Sequence, residues 1–367
     1  MSSIDTLINN TIRSDVRAVS GYHVADASGY IKLDAMENPY HLPEHLTREL
    51  GQRLADVVLN RYPDDSHAGV KQRIRAKLGI PAGYDVVLGN GSNELISMLG
   101  TACAHQDRRA VAISPTPSFV MYGRSTRVAG MDYVGIPLKA DMSLDMPAML
   151  AAIAQHKPAL VFLSYPNNPT GNLFPVDDIV TIIRALDGFG LAVVDEAYEP
   201  FAQQTFMDRL PEFDNLVVMR TVSKLGLAGI RLGYMSAAPK LLEQLDKVRP
   251  PYNINVLTLA AAEFALDHLE VLDRQAAALR AARGDLMAAL AAMPGVEVFP
   301  SAANFILIRV PNADDAYAKL LSHKVLIKNM SKMDTVMANC LRVTVSTPEE
   351  NAAFLDALSA SLAPLLA

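Results

Sequence analysis

The sequence predicts an α/β protein: a large doubly wound domain around a mostly parallel sheet, followed by a smaller α+β domain. Two observations predict it. From about residue 85, short apolar runs alternate with helical segments: DVVLG, RAVAIS, ALVFLSYP, LAVVDEAY, NLVVMRTV and LGYMSAA. Runs this short and apolar on both faces suit buried parallel strands, and strands alternating with helices build a doubly wound sheet. Pro250 and Pro251 then punctuate the chain, and a long helical region (257–293) leads into strand-like VEVFP, NFILIRV and CLRVTVS mixed with helices. The 367 residues suffice for two domains. We expect the large domain over 41–252, the small one over 253–367, and a separate N-terminal segment over 1–40.

In order, residues 1–40 carry one weak helical pattern and then a Gly- and Asp-spotted stretch ending in LDAMENPY. Residues 45–60 are expected to be helical until RYPDD breaks the pattern with Pro63, and 67–79 form another helix. The Ala- and Leu-rich stretch 257–294 is interrupted by Glu263, Asp267, Glu270, Asp273 and Arg274, which marks amphipathic helices rather than a membrane span.

Composition excludes several function classes. Half of the residues are hydrophobic and 20% charged, so a sizeable core can form. The 33 Lys and Arg against 39 Asp and Glu leave a net charge of −6, which argues against a general nucleic-acid binder. Two distant cysteines, Cys103 and Cys340, make neither a zinc knuckle nor a disulfide framework, and a reducing cytoplasm is the expected compartment. The N-terminus MSSIDTLINNTIRSDVR lacks the basic, apolar and small-residue zones of a secretory signal. No partner of membrane or nucleic-acid type is expected.

In open α/β sheets, ligands bind outside the carboxyl ends of the strands, so the residues just after each apolar run matter most. After DVVLG comes NGSNELISMLG. Ser92 and Asn93 either cap a helix or open an anion site on its free N–H groups. Glu94 stands where a dinucleotide fingerprint needs its third glycine. After ALVFLSYP comes NNPTG (167–171), a tight turn. After LAVV comes Asp195, at its strand's end. A buried carboxylate needs a partner, be it a structural cation, a metal or a cationic ligand, and no HExxH or comparable cluster supports the metal. After NLVVMR come Ser223 and Lys224, with Arg231 seven residues on. A lysine behind a buried strand among small apolar residues suits Schiff-base chemistry. Together the chain offers a lysine, a carboxylate and a phosphate cradle after successive strands, the three things pyridoxal phosphate needs.

PNNPTG, DEAY, the SK followed by G-x-R, and the late CLRVTVS resemble the fold-type I, class I/II aminotransferases that use pyridoxal phosphate, from about residue 30 to the end. With SGYHV, LDAMENPY, RYPDD, GNGSNE and LRVTVSTPEEN, the chain looks most like the histidinol-phosphate aminotransferases of that superfamily. The resemblance implies a cytoplasmic transaminase of histidine biosynthesis. It would move an amino group between L-glutamate and imidazole-acetol phosphate to give L-histidinol phosphate and 2-oxoglutarate. Related aromatic amino-acid aminotransferases and an amino-acid-phosphate decarboxylase share most of the motifs and stand as alternatives. A non-catalytic effector-binding module on the same fold is disfavoured by the intact Lys224 and Asp195.

Residue by residue, the resemblance implies that Lys224 carries the cofactor as a Schiff base and shuttles the proton. Asp195 would pair with the pyridine nitrogen, and Tyr198 and Asn168 with the ring oxygen. Phe119 would stack on the ring where many relatives have Tyr. The phosphate would rest on Ser92, Asn93, Ser223 and Arg231, joined by Tyr62 from a neighbouring subunit, so that a homodimer shares its active sites. Arg342 would grip the substrate anion, with Tyr22 closing over it and Lys328 near the place of a second anion-binding arginine. Asn168 would also face the substrate. Left to itself, the CLRVTVS alternation puts Arg342, Thr344 and Ser346 on one face without saying what that face meets. Segment 1–40 would join the small domain or form a dimer arm. Whether Asn168–Pro169 is cis stays open.

Overall fold

The structure is a computed structural model that describes residues 3–19, 21, 25–105 and 109–366. Its centre is a seven-stranded sheet. In spatial order the strands are Val87–Gly89, Gly233–Ala237, Leu216–Thr221, Leu191–Asp195, Leu160–Ser164, Val111–Thr116 and Asp132–Pro137. Only Gly233–Ala237 runs against its neighbours. The remaining pairings are parallel, so the sheet is mostly parallel as its apolar runs foretell. Every residue of strands Leu160–Ser164 and Leu216–Thr221 is buried, which is why neither alternates in sequence. Two apolar clusters cover the faces, one with Val161, Leu163, Val194 and Val218, the other with Phe162, Val193, Val217 and Met219.

The apolar-run criterion misses one strand. Asp132–Pro137 is the outermost strand, with exposed and half-buried positions, and so lacks the continuous apolar run that marks the others. A second difference is a break in the long helical region. It forms two helices, Val256–Asp267 and Leu269–Ala291, which meet at His268. The first packs on the helices Glu44–Ala55 and Ala68–Lys77, and its Ala262 and Leu266 join the core of the large sheet. The second carries Ala276, Leu279, Leu286 and Leu290 into a separate core. One straight rod cannot serve two cores lying in different directions, so the chain turns at His268.

The second core lies under a four-stranded antiparallel sheet ordered Lys328–Asn329, Cys340–Thr344, Phe305–Arg309 and Glu297–Val298. Residues 31–36 join this body. Strand Ile31–Lys32 pairs in parallel with Val325–Leu326, and Leu33 and Met36 enter the same core. Helix Ser3–Thr11 has no buried residue. Among the described residues no helix is long and apolar enough to cross a membrane.

Candidate active site

The ends of the sheet strands converge on one cavity lined by Ser92, Asn93, Phe119, Asn168, Asp195, Tyr198, Ser223, Lys224 and Arg231, together with Met36, Ser164, Ala197 and Thr221. Nine of the residues singled out from sequence therefore meet in one place.

Asp195 is the last residue of its strand and is buried. Tyr122 Oη donates to its Oδ2 at 2.7 Å and the Ala197 N–H to its Oδ1 at 3.1 Å. Burial pushes the carboxyl up to about 6, against the pull of these two donors. It remains mostly ionised at neutral pH, so it can face a cation. Behind it, Glu196 and Arg220 form a buried pair at 2.8 Å, which absorbs the second carboxylate of DEAY into structure.

Lys224 sits on the turn Ser223–Leu227, where Gly226 adopts φ +131°. A side chain at 226 would meet Asn38 Nδ2 at 3.0 Å, so only glycine lets the turn lie this close. Lys224 Nζ donates to the Ala35 carbonyl at 2.8 Å. Burial first, and then repulsion from Arg342, lower its pKa to about 8. A lysine this weakly basic can lose its proton and act as a nucleophile or base near neutral pH.

The phosphate cradle passes a direct test of fit. Helix Gly91–Cys103 begins at Gly91 with φ +71°, and a Cβ there would fall 2.5 Å from Arg231 Nη2. A Cβ on Gly233 would crowd the Ser92 N at 3.1 Å. Two glycines thus keep the guanidinium and the helix N-terminus close enough for one anion to meet both. Arg231 Nη1 donates to Ser223 Oγ at 3.3 Å, which adds a hydroxyl to the set. Glu94 accepts from the Asn90 N–H at 2.8 Å and from Asn253 Nδ2 at 2.7 Å, bracing the turn and explaining why no third glycine stands there. Ring, carboxylate, amine and anion cradle together match the parts of pyridoxal phosphate.

From the small body, Met36 lines the cavity and Arg342 stands just behind the lining, reaching it through Asn168. Arg342 is buried, and its Nη1 donates to Asn168 Oδ1 at 2.5 Å and its Nη2 to the Asp34 carbonyl at 3.0 Å. Asn168 Nδ2 in turn donates to Tyr198 Oη at 3.0 Å. Burial holds the Tyr198 hydroxyl well above its ordinary range, so it is a neutral donor. The polar face of CLRVTVS therefore points inward: Arg342 reaches Asn168, and Thr344 Oγ1 accepts the Met36 N–H at 3.0 Å. The Asn168–Pro169 bond is cis, as are Thr116–Pro117 and Tyr165–Pro166.

Three expected residues stand apart. Lys328 is exposed and does not line the cavity, although it is the cross-strand partner of Arg342 and so shares its side of the sheet. Tyr62 is 80% exposed and stacks on Tyr252 at 4.6 Å, outside the cavity. Tyr22 lies outside the described residues. Sequence reasoning misses Tyr122, fully buried between Asp195 and a stacked Phe162 at 4.7 Å, and Met36 in the cavity wall. Tyr122 carries no sequence signal of its own, since its ring reads as one more core aromatic and only the fold brings it to Asp195.

The sequence model described as aminotransferase class I and II matches residues 28–358. The chain belongs to this family. It is a pyridoxal-phosphate-dependent aminotransferase. Histidinol-phosphate aminotransferase 1 of Ralstonia nicotianae is 59% identical over 363 residues, covering 98% of this chain and 96% of its own length. Histidinol-phosphate aminotransferase 2 of Cupriavidus pinatubonensis is 59% identical over 366 residues, covering 99% and 100%. Among solved structures, the histidinol-phosphate aminotransferase of Sinorhizobium meliloti in complex with pyridoxal-5'-phosphate has a TM-score of 0.83 at 22% identity, covering 97% of this chain and 98% of that one. The L-threonine-O-3-phosphate decarboxylase of Porphyromonas gingivalis has 0.76 at 22% identity, covering 90% and 99%. An aminotransferase and a decarboxylase share this fold, so the fold alone does not name the reaction.

Proposed function

We propose that this aminotransferase transfers the amino group of L-glutamate to imidazole-acetol phosphate, giving L-histidinol phosphate and 2-oxoglutarate. The observation that carries the reading is the 59% identity, over nearly the whole chain, to enzymes named for histidinol phosphate.

When bound, pyridoxal phosphate supplies the carbonyl that receives the amine and a ring that accepts charge from the reacting carbon. Lys224 would carry it and move the proton to and from that carbon, a task its lowered pKa of about 8 suits. Asp195 would face the pyridine nitrogen as a carboxylate and keep a proton there. Tyr198 and Asn168 would face the ring oxygen, Phe119 would cover a ring face, and Ser92, Asn93, Ser223 and Arg231 would hold the phosphate. Arg342 would grip the substrate anion, assisted by Lys328 and Tyr22. A planar guanidinium accepts a carboxylate or a phosphate through two parallel hydrogen bonds, so one receptor serves glutamate and histidinol phosphate alike.

The active sites are shared within a homodimer. Val58, Leu59, Tyr62, Tyr252 and Leu257 are exposed apolar residues, with Tyr62 stacked on Tyr252, that a second copy would cover, bringing Tyr62 to its partner's phosphate. The enzyme is cytoplasmic; Cys103 and Cys340 are both free thiols.

The test is a half-reaction followed by absorbance of the bound cofactor, with L-histidinol phosphate, L-glutamate and L-phenylalanine mixed in separately. Fast bleaching by the first two and a slow response to the third is the expected result. Preference for phenylalanine would make the protein an aromatic transaminase, and carbon dioxide release from an amino-acid phosphate would make it a decarboxylase.

A further inference from the structure

Residue 36 follows a stretch of backbone held by both Arg342 and Lys224. The two carbonyls before it are both claimed by the site: Asp34 O accepts from Arg342 at 3.0 Å and Ala35 O accepts from Lys224 at 2.8 Å. An amino substrate with its anion at Arg342 and its reacting carbon at Lys224 therefore runs along this stretch of backbone. The next residue, Met36, lines the cavity with Phe119, Asn168 and Tyr198.

Its backbone is unusual. Met36 has φ +53°, the left-handed region that side-chain-bearing residues seldom occupy. Neighbouring groups on both sides impose it: the Met36 N–H donates to Thr344 Oγ1 at 3.0 Å, and Asn304 Nδ2 donates to the Met36 carbonyl at 3.0 Å. Both partners are buried. A glycine would satisfy this backbone without strain, yet the position carries a long thioether whose side chain is buried against the wall of the cavity. Strain held this firmly at a substrate path points to a use for the side chain.

We propose that Met36 is a specificity-determining residue, the apolar wall against which the ring of a ring-bearing amino substrate lies between Arg342 and Lys224. Thioether sulfur packs favourably on aromatic edges, and its unbranched chain conforms to a flat ring. Glutamate has no ring and gains nothing from this wall. The shared anion receptor cannot tell the two substrates apart, so Met36 supplies discrimination that Arg342 does not. The inference rests on the proposed function for the identity of the ring, but not for the contrast between ring and no ring.

The experiment compares single-turnover kinetics of the holoenzyme and its Met36→Ala and Met36→Leu variants with L-histidinol phosphate, L-phenylalanine and L-glutamate. Met36→Ala is expected to lower kcat/KM for both ring-bearing substrates about fivefold, chiefly through KM, and to leave glutamate within about twofold. Met36→Leu should restore most of the loss, since it refills the wall. Equal losses on all three substrates would reduce Met36 to a structural residue, and no loss on the ring-bearing pair would remove it from the substrate path. Should Met36→Ala fail to fold, Met36→Asn carries the same comparison, because Asn tolerates a left-handed backbone. If wild-type enzyme ignores histidinol phosphate, the proposed function fails, while phenylalanine against glutamate still decides the role of Met36.

Discussion

The two walls of the active site are built differently. Asp195 ends one strand of the sheet, Ser223, Lys224 and Arg231 follow the next, and all four lie within a short stretch of chain. The facing wall joins the two ends of the chain: Met36 and Thr344, 308 residues apart, share a hydrogen bond, and Arg342 reaches back to Asp34. Parallel sheet topology alone places the first wall, since every parallel strand delivers its end to the same edge. Only packing between bodies places the second. On the proposed reading, the chemistry common to all substrates rests on the first wall, and contacts to particular substrates rest on the assembled one.

The largest expected effect breaks the first wall. Lys224→Ala should reduce transamination by at least about a thousandfold, because it removes the proton-moving base. The cofactor should still bind through Asp195 and Arg231 but wash out on dialysis, measured by absorbance. Covalently held colour in this variant would show that another amine does the work.

Next comes the second wall. Arg342→Lys keeps the charge but replaces a planar fork with a point charge. We expect kcat/KM to fall about 10- to 100-fold for glutamate and histidinol phosphate alike. Cofactor affinity, titrated by fluorescence, should stay within about twofold. A large loss of cofactor affinity would mean the two walls are not separable.

The contrast also explains how far the site is legible in the sequence. Asp195 and Lys224 stand out because each ends an apolar run, and a charged residue there has few places to go. Arg342 sits inside a strand, where alternation names its face but not what covers that face. The cover is the 33–37 segment, from the far end of the chain. Tyr122 is hidden for a related reason. Its ring looks like any core aromatic, and only the fold brings its hydroxyl to Asp195. The edge strand Asp132–Pro137 carries no apolar run because most of its positions are exposed or half-buried.

Tyr122→Phe tests that hidden residue with a smaller effect. The Tyr122 hydrogen bond lowers the Asp195 pKa against the upward push of burial, which sets it at about 6. Removing the donor raises the value further. The carboxylate is the form that faces a ring cation, and it is lost as pH falls through this pKa. The acid limb of cofactor affinity should therefore move to higher pH in Tyr122→Phe, with about a three- to tenfold weaker hold near pH 6. Stability has the opposite sense. The folded pKa exceeds the ordinary carboxyl value, so burial of Asp195 costs stability as pH rises from about 4 to 6. The variant should widen that window upward in a thermal-melt series, and an unmoved acid limb would leave Tyr122 a packing residue only.

Lys328 should give the smallest effect, and it probes how far the second wall extends. It stands opposite Arg342 on the neighbouring strand and on the same side of the sheet, yet is exposed where Arg342 is buried. An exposed ammonium acts through water and salt, so its pull on a substrate anion is weak and is screened within roughly 8 Å at physiological ionic strength. Lys328→Met should raise KM for histidinol phosphate about two- to threefold at low salt, and added salt should erase the difference. The loss in Arg342→Lys should persist in salt, because it comes from lost bidentate geometry in a buried place. A salt-resistant loss in Lys328→Met would mean that substrate draws this lysine into the closed site, and the wall would then end at Lys328 rather than at Arg342.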